Sequence, residues 1–123
     1  MARSHRQRVG HDHERAALAH LRQAGLELIR RNFRCRRGEI DLVMRDGDVL
    51  AFVEVRYRRS NPYTTAAASV TPAKQQRLVH AAEFFLAMQP QHRHRAVRFD
   101  VVAIDAGQTD TTITWIKDAF RPH

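Results

Sequence analysis

The apolar positions near the start of the chain recur with the spacing of a helix. Ala17, Leu18 and Leu21 fall on one helical face, which predicts a helix from about His11 to Ala24. Shorter apolar runs follow it and have the length of strands rather than of helices. The chain therefore begins with a helix that packs one face against a sheet.

Three strands are predicted next. Leu26–Phe33 is interpreted as an edge strand, and Glu39–Met44 is joined to the following strand by a hairpin turn centred on Asp46-Gly47. Val49–Val55 is nearly continuous in apolar residues, which is typical of a central strand buried on both faces. Glu54 is thus a carboxylate inside a run that ought to be hydrophobic, and its burial calls for an explanation.

The second half of the chain predicts a loop, a helix and two more strands. Residues 60–71 carry small residues and threonines, which indicate a loop, and Thr71-Pro72 has the residue types that open a helix. Gln89-Pro90 ends that helix, and strands are predicted at Val97–Ile104 and Thr112–Ile116. The order α-β-β-β-α-β-β predicts an α/β fold with a mixed central sheet flanked by helices.

With 123 residues, the chain has room for one domain and one core. Residues 1–10 are basic and are expected to form a flexible N-terminus, with a single domain over 11–123. No apolar run approaches the roughly 18 residues that span a bilayer, and Cys35 is the only cysteine, which excludes an internal disulfide. A cytoplasmic protein without a membrane partner is expected.

Charge is the strongest global clue to a partner. Lys and Arg total 21 against 13 Asp and Glu, a net charge of +8, and the arginine fork matches phosphate oxygens. A high-GC genome would explain the excess of Arg over Lys but not the net positive charge. A nucleic-acid partner is predicted, with DNA as the first candidate. The candidate contacts are Arg30, Arg31, Arg34, Arg36, Arg37, Arg58, Arg59 and Lys74.

Asp41 and Glu54 form the candidate catalytic site. The predicted turn places Phe52 opposite Asp41, so Glu54 is a diagonal neighbour, and Arg56 shares the face of Glu54 because side chains alternate along a strand. Two close carboxylates are tolerated when a divalent cation such as Mg²⁺ or Mn²⁺ lies between them. Arg56 would then place a fixed positive charge beside a reacting phosphate.

Simpler interpretations of the same residues stay open. Glu54 and Arg56 can form a same-face salt bridge, and Asp41 can pair with Arg37 or Arg56. Glu39 shares the face of Asp41 if side chains alternate regularly. It is then either a third catalytic or metal-binding carboxylate or a partner of the arginine cluster, and the sequence favours neither.

Two motifs and several flanking segments resemble those of the YraN-like family of uncharacterised bacterial proteins. The motifs are Gly38-Glu39-Ile40-Asp41-Leu42-Val43 and Phe52-Val53-Glu54-Val55-Arg56-Tyr57-Arg58. The flanking segments are Arg31-Asn32, Lys74, Arg98-Phe99-Asp100-Val101-Val102 and Ile116-Lys117-Asp118-Ala119-Phe120. The similarity covers nearly the whole chain.

The resemblance implies a restriction-endonuclease-like fold, related to archaeal Holliday-junction resolvases and PD-(D/E)xK nucleases. It implies that Asp41, Glu54 and Arg56 occupy the catalytic positions and that Glu14, on the first helix, is a further metal ligand. Related junction resolvases work as dimers, which extends to this chain as a possible homodimer. Two positions depart from the pattern: Arg56 stands where the superfamily has lysine, and His13 replaces the glycine that usually precedes Glu14.

Two functions follow as hypotheses. The favoured one is an endonuclease that uses Mg²⁺ or Mn²⁺ to hydrolyse phosphodiesters in DNA of branched or non-duplex structure. The other is a nucleic-acid-binding module of the same fold without catalytic activity. Arg56 favours the module because arginine does not lose its proton, whereas the Asp41 and Glu54 pair favours the enzyme.

Overall fold

The computed structural model describes residues 5–59 and 65–122. Its elements are α1 (His5–Gln23), β1 (Glu27–Cys35), β2 (Gly38–Asp46), β3 (Val49–Arg59), α2 (Pro72–Met88), β4 (Val97–Ala106) and β5 (Thr111–Ile116), with short 3-10 helices at Ala67–Ser69 and Pro90–His92. The prediction of a mixed α/β fold, with one sheet flanked by helices, is confirmed.

The five strands lie in the order β1-β2-β3-β4-β5. All neighbours are antiparallel except β3 and β4, which are parallel. Parallel neighbours need a long crossover, and α2 lies in the segment that connects them. The prediction of an edge strand before the hairpin holds, since β1 is one edge of the sheet and β5 is the other.

The two helices cover opposite faces of the sheet. Phe52 of β3 packs with Phe85 in a cluster on the α2 side, and Val53 packs with Leu21 in a cluster on the α1 side. Both faces of β3 are therefore withdrawn from water. This explains why its first half is an almost unbroken apolar run, as parallel and central strands usually are.

Helix α1 begins at His5 rather than near His11. Residues 5–10, assigned by sequence to a basic N-terminus, continue the helix, and the expected flexibility of residues 1–4 concerns positions outside the described residues. Strand β1 runs on to Cys35, two residues beyond the predicted end at Phe33, so Arg34 also lies on the strand.

The hairpin register differs from the predicted one. Asp46 pairs with Val49, so the two-residue loop is Gly47-Asp48, and Gly47 supplies the positive φ of 62° that such a turn needs at its first position. Phe52 consequently pairs with Val43, and the prediction that it lies opposite Asp41 is wrong.

The start of α2 agrees with the sequence. The Thr71 hydroxyl accepts a hydrogen bond from the Lys74 backbone N–H, and Pro72 occupies the first turn. Part of the predicted loop before it, at 65–71, contains the 3-10 helix Ala67–Ser69, while residues 60–64 lie outside the described residues. Within the described chain, neither helix has the length and apolar character needed to cross a membrane.

Candidate active site

Strands β2 and β3 stop pairing at the level of Asp41 and Glu54. Their register ends at Leu42 and Val53, whereas β3 continues to Arg59 with β4 as its paired neighbour. One step past the last pair, the next residues are Asp41 on β2 and Glu54 on β3. A gap between two strands at this end of the sheet therefore begins where the two carboxylates lie.

The regular alternation of β2 breaks at Asp41. Ile40 belongs to the core cluster on the α2 side and Leu42 to the cluster on the α1 side, although residues two apart on a regular strand share a face. At this break the Asp41 carboxylate Oδ2 accepts a hydrogen bond from the Val55 backbone N–H at 2.8 Å. Asp41 is thereby held against β3, next to Glu54.

Both carboxylic acids hold a proton more tightly than they would in water. Burial and the negative charge of Asp41 raise the pKa of Glu54 to about 8, against the lowering effect of Arg56 and Lys74. Burial raises the pKa of Asp41 to about 6, and the hydrogen bond from Val55 opposes this rise. Two half-buried acids with raised pKa values would be stabilised by a cation that takes the place of their protons.

Arg56 extends beside Glu54 and is fixed from its far side. Its Nη1 lies 3.9 Å from Glu54 Oε1, while its Nε donates to Ser69 Oγ at 2.9 Å. The Ser69 hydroxyl in turn donates to the Ala66 carbonyl at 2.6 Å. The same-strand ion pair is therefore present, at the outer limit of contact, and the guanidinium is held in place chiefly by the 3-10 helix.

Ser69 is a site residue that sequence reasoning missed. It lies among small residues that indicated only a loop, yet it is buried on the path of the Arg56 side chain. Asp105 of β4 accepts a hydrogen bond from the Ala66 backbone N–H at 2.9 Å and so ties this 3-10 helix to the sheet. No sequence motif marks Ser69, because its role depends on how the segment folds back over β3.

Lys74 supplies a second positive charge close to Glu54. It lies in the first turn of α2, and its charge lowers the pKa of the Glu54 carboxyl. Two positively charged side chains therefore act on the carboxylates of the candidate site, Arg56 from β3 and Lys74 from α2.

Glu14 lies beside the carboxylates but is already engaged. It is buried on α1, and its Oε1 accepts from Arg31 Nε at 3.3 Å and from Asn32 Nδ2 at 3.1 Å. Its negative charge raises the pKa of Asp41, which shows that the two residues are near each other. Glu14 is thus placed at the margin of the site, with one carboxylate oxygen committed to β1.

Glu39 is more exposed than the other acidic residues. Its side chain is 53% accessible and its Oε2 lies 3.7 Å from Arg34 Nε, which corresponds to the arginine-partner alternative. The alternation of β2 breaks at Asp41, so the regular alternation from which a shared face of Glu39 and Asp41 was predicted does not hold. Its charge still raises the pKa of both Asp41 and Glu54.

A divalent cation would have two protein ligands here. Across residues 5–59 and 65–122, no cluster of three or more His, Cys, Asp or Glu has an arrangement that could hold a metal ion. Mg²⁺ commonly uses only one or two protein carboxylates and completes its shell with water and substrate phosphate oxygens. The oxygen donors of Asp41 and Glu54 fit a hard cation of this kind.

Most of the predicted basic contacts lie at the same end of the sheet as the carboxylates. The β1–β2 turn carries Arg36 and Arg37, and β3 ends at Arg58 and Arg59, so these residues border the gap between β2 and β3. Arg30 lies farther along β1, with its guanidinium over the Phe33 ring. The remaining predicted contacts, already placed above, are Arg31, Arg34 and Lys74.

Gly38 explains part of the first motif. It is buried where β2 begins, and a Cβ atom there would overlap the backbone carbonyl of Arg77 on α2. Helix α2 is therefore in direct contact with the β2 backbone. The Arg37 guanidinium lies 3.3 Å from His80 Nε2 at the same contact.

These features define a small mixed α/β protein with a half-buried carboxylate pair between two separating strands and basic residues around it. The chain belongs to the family described as "Uncharacterised protein family UPF0102", whose sequence model matches residues 13–104. The family membership expected from the two motifs is thereby confirmed. The matched range includes all four predicted acidic site residues and Arg56.

Similar relatives cover almost the entire chain. The UPF0102 protein HEAR0176 of Herminiimonas arsenicoxydans is 55% identical over 119 residues, which are 97% of this chain and 91% of that protein. The UPF0102 protein Pfl01_4685 of Pseudomonas fluorescens is 47% identical over 118 residues, 96% of either chain. A UPF0102 protein of Alcanivorax borkumensis is 44% identical over 113 residues, 91% of this chain and 90% of that protein.

Proposed function

We propose that the chain is a Mg²⁺- or Mn²⁺-dependent endonuclease of restriction-endonuclease-like fold that hydrolyses phosphodiesters in branched or otherwise non-duplex DNA. The observation that carries this proposal is the half-buried pair Asp41 and Glu54, at the point where β2 and β3 separate, with raised pKa values and a fixed guanidinium alongside. A fold maintains such a repulsive pair at a cost to its stability, which is typical of functional sites.

Asp41 and Glu54 would hold the cation, and Glu14 or Glu39 would assist from the margin. When bound, such an ion lowers the pKa of a coordinated water and stabilises negative charge on a phosphate. The Val55 N–H fixes the orientation of Asp41, and Ser69 fixes Arg56 so that its charge faces the phosphate without reorganisation.

The surrounding arginines would bind the phosphate backbone and set its register, while the base sequence goes unread. Arg36 and Arg37 on the β1–β2 turn and Arg58 and Arg59 at the end of β3 border the gap from its two sides. A nucleic-acid strand that enters the gap would therefore be neutralised on both sides. A cytoplasmic location and, as in related junction resolvases, a homodimer belong to the same proposal.

A non-catalytic nucleic-acid-binding module is the second candidate, and Arg56 favours it. The guanidinium stays protonated at all physiological pH values, so it cannot accept a proton from an attacking water. Lys74, close enough for its charge to act on Glu54, keeps a lysine near the site from another element. The two candidates share the basic surface and differ only in whether the bound phosphodiester is cleaved.

Cleavage assays separate the two candidates. Purified protein is incubated with junction, flap, single-stranded and duplex DNA in Mg²⁺ or Mn²⁺, beside Glu54→Gln, which keeps the side-chain volume and removes the charge. Glu83→Gln, an exposed acid on α2, is the matched control.

Cleavage by the wild-type and by Glu83→Gln that is lost in Glu54→Gln is the expected result. Metal-independent binding without cleavage would contradict the endonuclease and favour the non-catalytic binding module. No binding to any of the four DNA forms would rule out both candidates.

A further inference from the structure

Beyond Glu54, where β3 no longer pairs with β2, the side chain of Tyr57 contacts His13 of α1. The proposed hydrolysis of phosphodiesters uses neither of these rings. The rings of Tyr57 and His13 stack with their centroids 3.9 Å apart and their planes inclined by 12°. Tyr57 is nevertheless 40% exposed. The pair therefore forms a flat aromatic surface that is only partly covered by the protein.

The pair lies on the opposite face of β3 from Glu54. Val55 packs with the α1-side cluster, and Tyr57, two residues on, meets His13 of α1 on that same side. Glu54 and Arg56 alternate to the α2 side. Tyr57 is three residues beyond Glu54, about 10 Å along a strand, so both lie on the part of β3 that β2 no longer pairs.

The charge around the pair suits a nucleotide. Arg59, two residues beyond Tyr57, shares its strand face and is exposed, so a base against the ring would have a guanidinium group near a neighbouring phosphate. The imidazole of His13 backs the phenol ring of Tyr57 from the α1 side.

We infer that Tyr57, backed by His13, is a stacking site for an unpaired nucleobase of a DNA strand whose phosphate lies at the carboxylate pair. Every base presents a π-face, so such a site is tolerant of sequence but requires that the base be out of a duplex. This inference rests on the proposed function. It adds the reason why the protein would prefer non-duplex DNA.

The test measures binding without cleavage, in EDTA. The probe is a single-stranded oligonucleotide with 2-aminopurine at successive positions, compared with the duplex of the same sequence. Tyr57→Leu removes the aromatic ring, and Tyr57→Phe keeps it and removes only the hydroxyl. Circular dichroism and thermal unfolding report whether each variant is folded.

Quenching of 2-aminopurine at one position is expected with the wild-type protein and Tyr57→Phe. The Kd of Tyr57→Leu for the single strand is expected to be about 5- to 100-fold higher, with duplex binding unchanged. His13→Ala is expected to give a smaller loss, because it leaves the ring that the base contacts.

Equal affinity of Tyr57→Leu and the wild-type for the single strand would overturn the inference, and so would the absence of quenching at every position. The quenching measurement needs only wild-type protein, so it decides even if Tyr57→Leu fails to fold. Binding and quenching without cleavage in the assay above would support the stacking site and contradict the nuclease. Cleavage by the wild-type, with no effect of Tyr57→Leu on binding, would support the nuclease and contradict the stacking site.

Discussion

Glu54 and Asp41 are costly residues for this fold. Each is half-buried, and the charge of Asp41 adds to the burial that raises the pKa of Glu54. Neutral acids are tolerated in such surroundings, but a pair of carboxylates is not, unless a cation joins them. Arg56 offsets part of this repulsion from 3.9 Å, and Ser69 keeps it there.

This cost predicts a pH dependence of stability without divalent cations. The pKa of Glu54 rises from 4.5 to about 8 on folding, so the folded protein binds more protons between these values. Its contribution to stability is complete below pH 4.5 and is lost as pH rises toward 8. From pH 5 to pH 8 the loss should be on the order of 2 to 4 kcal/mol in the free energy of unfolding.

Urea unfolding in EDTA at the two pH values measures this loss. In Glu54→Gln the amide does not ionise, so the free energy of unfolding should fall less steeply with pH than in the wild-type. Glu83→Gln should keep the wild-type dependence because Glu83 is exposed. Equal slopes in all three proteins would show that Glu54 does not carry a raised pKa.

The site could be predicted from the sequence only where a residue conflicts with its surroundings. Glu54 stands out because it interrupts a buried apolar run, and Asp41 because it lies across the hairpin. Ser69 and the Val55 backbone bond carry no such conflict. They arise from the return of the 3-10 helix over β3 and from a break in β2 that local residue preferences do not encode.

At the scale of the elements, two features shape the site. Strand β2 separates from β3, and α2 packs against the β2 backbone. β2 and β3 pair over the hairpin and part at Leu42 and Val53, which leaves the end of β3 open on one side. Helix α2 contacts β2 at Gly38, so that its first turn brings Lys74 toward Glu54. The position of α2 therefore sets the charge around the carboxylates.

Gly38→Ala tests this seating. The added Cβ meets a backbone carbonyl of α2, which cannot rotate away, so the variant should lose about 1–3 kcal/mol in the free energy of unfolding. Gly10→Ala is the control, because it lies in α1 with open space around it and should gain about 0.5–1 kcal/mol. Chemical unfolding measures both variants. If Gly38→Ala is as stable as the wild-type, α2 does not rest on the β2 backbone.

The hydrophobic pattern predicted which segments are helices and which are strands. The turn residues did not predict the register of the hairpin. An Asp-Gly pair indicates a tight turn, but Gly47 takes the first loop position and Asp46 stays paired with Val49. A shift of one residue in the turn moved the predicted partner of Asp41 from Phe52 to the level of Glu54. Strand register depends on the pairing of both strands, and turn composition alone does not fix it.

On the scale of the whole molecule, the arginines at the two ends of the sheet differ in their acidic neighbours. The arginines around the gap border Asp41 and Glu54, whereas Arg98 at the other end of β4 is neutralised by Asp46 and Asp100. A net charge of +8 attracts polyanions, and Arg36, Arg37, Arg58 and Arg59 place part of the positive charge beside the gap. DNA is expected to bind at that end of the sheet.

The salt dependence of DNA binding tests this distribution. Arg36→Gln removes one exposed charge from the β1–β2 turn and should make the slope of log affinity against log salt concentration shallower by about 1. Arg121→Gln, whose partner Asp118 lies 2.7 Å away, removes the same charge far from the gap and should keep the wild-type slope. Fluorescence anisotropy between low and physiological salt gives the slopes. Identical slopes for the two variants would mean that DNA binds elsewhere.

Binding of Mn²⁺ followed by electron paramagnetic resonance tests the joint role of the two carboxylates most directly. Wild-type protein and Glu83→Gln are titrated beside Asp41→Asn and Glu54→Gln, with single-stranded DNA present to supply phosphate oxygens. We predict a site in the wild-type and Glu83→Gln whose affinity falls by about tenfold or more when either carboxylate is replaced. Unchanged Mn²⁺ affinity in both Asp41→Asn and Glu54→Gln would contradict a shared cation at the point where β2 and β3 separate.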